Sequence, residues 1–533
     1  MKYRVSAALG LAAMMAFSAA PVAQAGTPKD TFVIARNIAD IINLDPAEVF
    51  EFSGAEVITN MYDRVMTFEP DNLTKLVGGT TESYSFSEDG KTITLKMRKG
   101  IVFHSGNPMT AEDVAFSLQR VVKLKKTPSF IFTQFGWDKD NVDGLVTAPD
   151  ADTVVLKITA DLSPGLVLNA LSAGVGSVVD KKLVLSHEKD GDLGYEWLKT
   201  NDAGSGPYML KTWKASELVV LERHDKDRHG VAAMKRVIIR HVAEASAQRL
   251  LLEKGDVDAS EDLTADQLKG LEGKEGVEID TFPQSNLMYL AMNQDVKVLT
   301  DPKVQDALRY AIDYSGLSES VLQGSYKIHQ AFWPSGMWAS YDENPYSMNM
   351  DKAKALLAEA GYKDGGGLKL TIDTLNKSPF KEVAQSVQSS LKQLGIDAEI
   401  ILSDGATLWP KYRARKHQLI IARWGPDYSD PHSNADAFAH NPDNRMEAKL
   451  TGKLSWRNAW AKDWATKEAE AAAKETDLVK REAMYKELQK KMQSDSCYAI
   501  MFQLVGKIGR RANVKNYVRG VTFDQVYFRT VTK

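Results

Sequence analysis

A chain of 533 residues with one cysteine, Cys497, cannot form an internal disulfide. Its fold must therefore rest on its core, even in an oxidising compartment. The sequence has no Gly-x-Ser-x-Gly elbow, no His-Glu-x-x-His pair and no Cys pair, so the usual hydrolase and metal signatures are missing. Gly365-Gly366-Gly367 lacks the Lys-Ser/Thr of a phosphate loop and is expected to be a flexible joint. His224 with His229 and His432 with His440 offer nitrogens, but at spacings that match no standard metal site. Asp427 and Asp430 lie three apart, a spacing that acid/base catalysis does not require. An enzyme is the weaker expectation, with no catalytic residue, metal or cofactor assigned. There is no repeat at a fixed period and no low-complexity segment beyond Ala471-Ala472-Ala473. After residue 25 no apolar run approaches the roughly 20 residues that span a bilayer. No basic block offsets a net charge of −3, so a nucleic-acid partner is not expected.

What is present begins at the start. Lys2 and Arg4 precede an uncharged, largely apolar run from Val5 to Ala20, then Pro21 and Ala23-Gln24-Ala25. A basic start, a short apolar middle and small residues at −3 and −1 read as a secretory signal peptide; the alternative is an N-terminal membrane anchor. Cleavage after Ala25 leaves Gly26 first. A bacterial lipoprotein needs Cys at that point, so no lipid is expected. The expectation is an exported protein of the periplasm. Without Lys2 and Arg4 the net charge is −5. The length left predicts two or more domains.

The body reads as mixed α and β. Thr92 to Met97 alternates polar and apolar residues, as a half-buried strand should, after an Asp89-Gly90 turn. Thr110 with Asp113 forms a Thr-x-x-acid cap that opens a helix with Val114, Leu118 and Val121 on its apolar face. Helices are predicted from Asp351 to Gly361, from about Phe380 to Leu394, and from about Leu478 to Met492 with Tyr485, Leu488 and Met492 on one side. Ile396 to Leu402 reads as a strand.

A series of segments runs in order along the chain: Leu44-Asp45-Pro46-Ala47, Met97 to Leu118, Gly204-Ser205-Gly206-Pro207-Tyr208, Leu251 to Asp258, Asp301 to Asp313, and Trp424 to Pro431. Together they resemble the solute-binding proteins of ABC importers of the dipeptide, oligopeptide and nickel type. That resemblance implies an α/β fold of two lobes, with a subdomain inserted in the first lobe (about 70–200) and a ligand cleft between lobes. The first lobe is expected over 26–284 with a C-terminal return at 498–533, the second over 285–497, and the crossings near Phe282 to Asn286 and Cys497 to Leu504. The implied role is delivery of a small polar solute, most simply a di- or oligopeptide, to an ABC permease in the inner membrane. The chain is expected to act as a monomer.

The resemblance also implies a site. In peptide-binding relatives an Asp in the Trp-x-x-Asp segment holds the ligand's amino group, and Asp427 stands there; the alternative is an Asp that caps a turn before Pro431. Trp424 and Tyr428 flank it and either stack on ligand or pack the lobe. Trp409 and Trp333, in the Phe332 to Trp338 loop, are further candidates. Arg413, Arg415 and Arg423 are candidates for a ligand carboxylate. The chain departs from the peptide pattern at Asp430-Pro431-His432-Ser433-Asn434 and at Ser455 to Trp460. The family also serves opines, sugars and metal chelates, so the ligand class stays open.

Overall fold

The structure, a computed structural model, describes residues 26–533; the expected leader and its cleavage point lie outside the described residues. The expected elements form close to their expected bounds. The strand Thr92–Met97 buries Ile93, Leu95 and Met97. The helix Ala111–Leu124 opens on a capping box, in which the Thr110 N–H and hydroxyl donate to Asp113 Oδ2 at 2.8 and 2.9 Å. That satisfies backbone donors the first turn would leave orphaned. Helices follow at Met350–Glu359, Phe380–Gln393 and Leu478–Ser494, the last burying Tyr485, Leu488 and Met492. Among the described residues no helix is long and apolar enough to cross a membrane.

An eleven-stranded sheet runs through the molecule. Its order is Asp397–Ser403, Lys369–Leu375, Leu419–Trp424, Val277–Met292, Tyr498–Arg511, Ala259–Ser260, Thr31–Arg36, Arg236–His241, Leu218–Arg223 and Tyr208–Lys214, with Tyr326–Ile328 added on Tyr498–Arg511. Two long antiparallel strands at its middle pass from one lobe to the other. Val277 to Pro283 pairs with Val505 to Arg511; Leu287 to Ala291 pairs with Tyr498 to Gln503. The register breaks between Pro283 and Leu287, where proline has no N–H to give the ladder. The N–H of Ser285 turns instead to the Val521 carbonyl at 2.9 Å.

Each lobe has its own core. One cluster runs from Leu287 to Phe502 and includes Trp333, Ile372, Leu391 and Tyr485. Another gathers Phe32, Ile34, Val237 and Phe528, residues from both ends of the chain. Lys533 ends in the same region: its ammonium, 3% exposed, meets Asp258 at 2.7 Å and donates to Thr27 Oγ1 at 2.7 Å. A third cluster lies under the antiparallel sheet Thr81–Phe86, Thr92–Met97, Thr153–Lys157, Val146–Asp150. Tyr428 and Ala473, far away in sequence, pack into this third cluster.

In the second lobe Lys369–Leu375 and Asp397–Ser403 are parallel neighbours joined by the helix Phe380–Gln393. Parallel strands need such a crossover. The turn before it corrects one expectation. Gly365, Gly366 and Gly367 are not a loose joint: all three have positive φ, and a Cβ on Gly365 would lie 2.2 Å from the Gly395 carbonyl carbon. Glycine is there because two backbone turns touch.

Candidate functional site

The segment Trp424 to Phe438 is built from the inside out. The strand Leu419–Trp424 ends at Gly425-Pro426, where a Cβ on residue 425 would come within 3.0 Å of Asn286 Oδ1. The chain then turns twice. Asp427 N–H donates to Ser433 Oγ at 2.8 Å, and His432 N–H donates to Asp430 Oδ1 at 2.9 Å. Asp430 is gripped by Arg481, whose two terminal nitrogens donate to its two oxygens at 2.8 and 2.7 Å, both side chains being at most 1% exposed. Asp430 is therefore a fixed post of the turn and not half of an acid/base pair with Asp427. The short helix His432–Phe438 follows.

Between this segment and the inserted subdomain lies a cavity of about 470 Å³. Phe130, Gln134 and Leu162 line one side; Trp424, Asp427 and His432 line the other. That is the size class of ligand pockets, roughly 300–1,000 Å³. The walls touch around it. Tyr428 O–H donates to Gln134 Oε1 at 3.4 Å, Ser163 N–H donates to the Ala473 carbonyl at 2.8 Å, and Lys474 faces Asp161 at 3.6 Å.

Asp427 is the unusual charge in the wall. Its carboxylate has no hydrogen-bond donor and no ion-pair partner among the described residues. Burial, with repulsion from Asp436, pushes its pKa up to about 7 against the pull of Arg457. Asp436 contrasts with it. Lys453 and His440 contact its carboxylate and, against burial, hold its pKa well below the usual carboxylate range. His440 is used on both nitrogens, by Asp436 at 2.7 Å and Glu470 at 3.2 Å. His224 packs edge-on against His104, and His229 pairs with Asp227.

A second, smaller cavity of about 230 Å³ lies near the strand crossing, lined by Phe52, Asn286 and Arg423. Arg423 precedes Trp424 on the same strand, so strand alternation turns it to the opposite face. Its guanidinium stands 5.0 Å over the Phe52 ring, bridging the lobes. Lys377 is close by: loss of water and the Arg423 charge lower its pKa, while Asp262 raises it. Neither cation makes an ion pair among the described residues.

Of the residues singled out from the sequence, Trp424, Asp427 and Tyr428 come together. The indole N–H of Trp424 donates to Asn434 Oδ1 at 3.2 Å and its ring lines the larger cavity. Arg423 lines the second cavity, and the other four lie elsewhere. Trp333 is fully buried in the second lobe's core, its N–H donating to the Trp338 carbonyl at 2.8 Å. Trp409 is half-buried on the helix Gly405–Arg413, packed against that core. Arg413 is exposed at the end of that helix. Arg415 stacks on Trp456 at 3.9 Å and donates to Asn444, a structural role. Phe130, Gln134, Lys377 and the His432 ring are not assigned to the site by sequence, and only His432 carries a signal, its departure from the family pattern.

Tyr428 ties the lobes together, because its backbone belongs to one lobe and its ring to the other's core. Burying an aromatic ring contributes about 1.5–3 kcal/mol. Tyr428→Ala should therefore favour the open form by on the order of tenfold or more and enlarge the radius of gyration in small-angle scattering. An unchanged radius would show that Tyr428 does not hold the lobes shut.

Residues 75–446 match the family model of bacterial extracellular solute-binding proteins, family 5 Middle. The chain is similar to the probable D,D-dipeptide-binding periplasmic protein DdpA of Escherichia coli (strain K12), 28% identical over 531 residues and 99% of each chain. Its fold is that of the periplasmic binding protein DppA of Helicobacter pylori, solved with the peptide STSA (TM-score 0.78, 23% identity, 94% of this chain and 98% of that one). NikZ of Campylobacter jejuni, solved with Ni(L-His), is as similar in fold (TM-score 0.79, 21% identity, 95% and 100%). A family match over most of the chain, on a two-lobe fold with a cavity between the lobes, places this protein among the bacterial extracellular solute-binding proteins of family 5.

Proposed function

We propose that this protein captures a short peptide with a free amino group between its lobes and delivers it to an ABC permease of the inner membrane. The observation that carries this is Asp427: an unpaired carboxylate, destabilised by burial, on the wall of a cavity that both lobes form. A ligand ammonium supplies the missing partner. Arg423 and Lys377, unpaired beyond the turn at Gly425, suit the ligand's carboxylate. A zwitterionic peptide has both charges at its two ends. The dipeptide named for DdpA and the peptide bound by the Helicobacter protein are of that class.

On this reading the first lobe is 26–284 with the return at 498–533, the second is 285–497, and 70–200 is the inserted subdomain. The protein works as a periplasmic monomer without lipid, after cleavage before Gly26, and releases its ligand unchanged, catalysing nothing. Closure around a ligand follows from contact with both lobes.

The test is direct. Denaturing the purified protein and identifying the released solute by mass spectrometry should yield a short peptide. Adding D-alanyl-D-alanine, L-alanyl-L-alanine or glutathione should, for at least one of them, shrink the radius of gyration and raise the melting temperature. A hundredfold excess over Kd adds about 2.7 kcal/mol of stability. Recovery of a sugar, an opine or a metal chelate, with no response to any peptide, would overturn the peptide reading.

A further inference from the structure

Asp427 is not alone in the larger cavity in having a polar atom unanswered. His432 is a second such group. The ring is 6% exposed and lines the cavity, while its Nδ1 is shut off from water with no hydrogen-bond partner among the described residues. An orphaned N–H in such a position costs more than an orphaned lone pair. The ring hydrogen therefore belongs on Nε2, the nitrogen left to the cavity side. The ring is also neutral. Burial, reinforced by Arg481 and Lys453, holds its pKa down to about 4, although Asp436 and Asp430 pull the other way. Neutrality suits a site for a cationic ligand, because a charged imidazole beside Asp427 would repel the ammonium. Asp436, four residues on, makes no hydrogen bond to the ring among the described residues; Lys453 and His440 hold its Oδ1.

We infer that His432 is a specificity-determining residue whose Nε2–H donates to the carbonyl oxygen of an α-aminoacyl group, the same group whose ammonium rests on Asp427. This rests on the peptide reading above and narrows it. Asp427 and His432 offer the cavity an unmet acceptor and an unmet donor. An α-aminoacyl group answers both, because its ammonium donates, its carbonyl oxygen accepts, and the two sit on adjacent carbons. A simple polyamine has no acceptor to meet His432 and should bind poorly.

Calorimetry with D-alanyl-D-alanine, L-alanyl-L-alanine and their trans-alkene isosteres tests this. The isosteres keep shape and both end charges but lack the peptide carbonyl and its N–H, so the His432→Phe comparison isolates the carbonyl's share. Wild type should bind whichever dipeptide it accepts about tenfold more tightly than the matching isostere. His432→Phe should lose about tenfold for the dipeptide and nothing for the isostere. His432→Gln, which keeps an N–H donor, should restore most of the loss. Melting curves check that the variants fold; the dipeptide-against-isostere ratio in wild type stands even where a variant does not. Equal binding of dipeptide and isostere by wild type, or an equal loss for both in His432→Phe, would overturn the role of His432 and leave the peptide reading intact. No binding of either dipeptide by wild type would overturn this inference, while the peptide reading would stand or fall on the identity of the released solute.

Discussion

Asp427→Asn should weaken binding of an amine-bearing dipeptide by roughly thirtyfold or more and at the same time stabilise the empty protein above pH 7. Removing one member of a desolvated charge pair costs about 2–5 kcal/mol, and about 1.4 kcal/mol is a tenfold change. Stabilisation follows from the other side of the same fact. Burial raises the Asp427 pKa from 3.8 to about 7. The native state therefore holds this proton more tightly than the unfolded chain does. Stability is greatest below the unfolded pKa and falls as pH rises from about 4 to about 7. The asparagine variant carries no such penalty. Ligand affinity runs the opposite way. It should be full above pH 7, where the carboxylate is formed, and fall about tenfold per unit well below it. It should fall again above about pH 8, as a peptide's α-amino group loses its proton. Calorimetry across pH 5 to 9 with matched melting curves reads both effects. Unchanged affinity together with a lowered melting temperature would make Asp427 a turn residue.

Asp430→Ala should destabilise the second lobe by about 3–5 kcal/mol. It leaves the Arg481 guanidinium buried without a counter-charge. It also frees the His432 N–H that fixes the start of the site helix, so binding should suffer along with stability. Replacing both partners, Asp430→Leu with Arg481→Leu, removes the stranded charge and should recover much of the stability but not the affinity. Denaturant unfolding of the two variants beside the unaltered protein separates these terms. A mild effect of Asp430→Ala, below about 1 kcal/mol, would mean that water reaches the guanidinium and that the turn is held by other contacts.

Local signals are legible in the sequence with little loss. The Thr110–Asp113 capping box, the alternation of Thr92–Met97 and the buried side of Leu478–Ser494 depend on residues a few positions apart. The Gly365 turn is not legible, because its partner, Gly395, is thirty residues away. The site shows the same division. Trp424, Asp427 and Tyr428 are close neighbours in the chain, so one turn delivers all three. The facing wall is not: Gln134, which Tyr428 meets, is 294 residues earlier and carries no motif. Trp333 and Trp409 look like ligand-stacking aromatics in sequence, but whether a tryptophan faces a cleft or a core is decided by what packs over it. Here the core of the second lobe does. Asp430 resembles a free acid in sequence, and only Arg481, fifty-one residues on, shows that it is saturated.

The interleaving of the two ends of the chain fixes an order of events. A chain is synthesised from its N-terminus. The strands Ala259–Ser260 and Val277–Met292 take Tyr498–Arg511 as their neighbour, and Thr31–Arg36 reaches that strand only through Ala259–Ser260. The edge they present stays open until residue 511 has been made. The second lobe waits less, because most of its core comes from one continuous stretch. During synthesis the first lobe is thus the long-lived unfinished half, with an unpaired sheet edge of the kind that invites proteolysis and mispairing. A chaperone or protease that meets the unfinished chain meets that edge first.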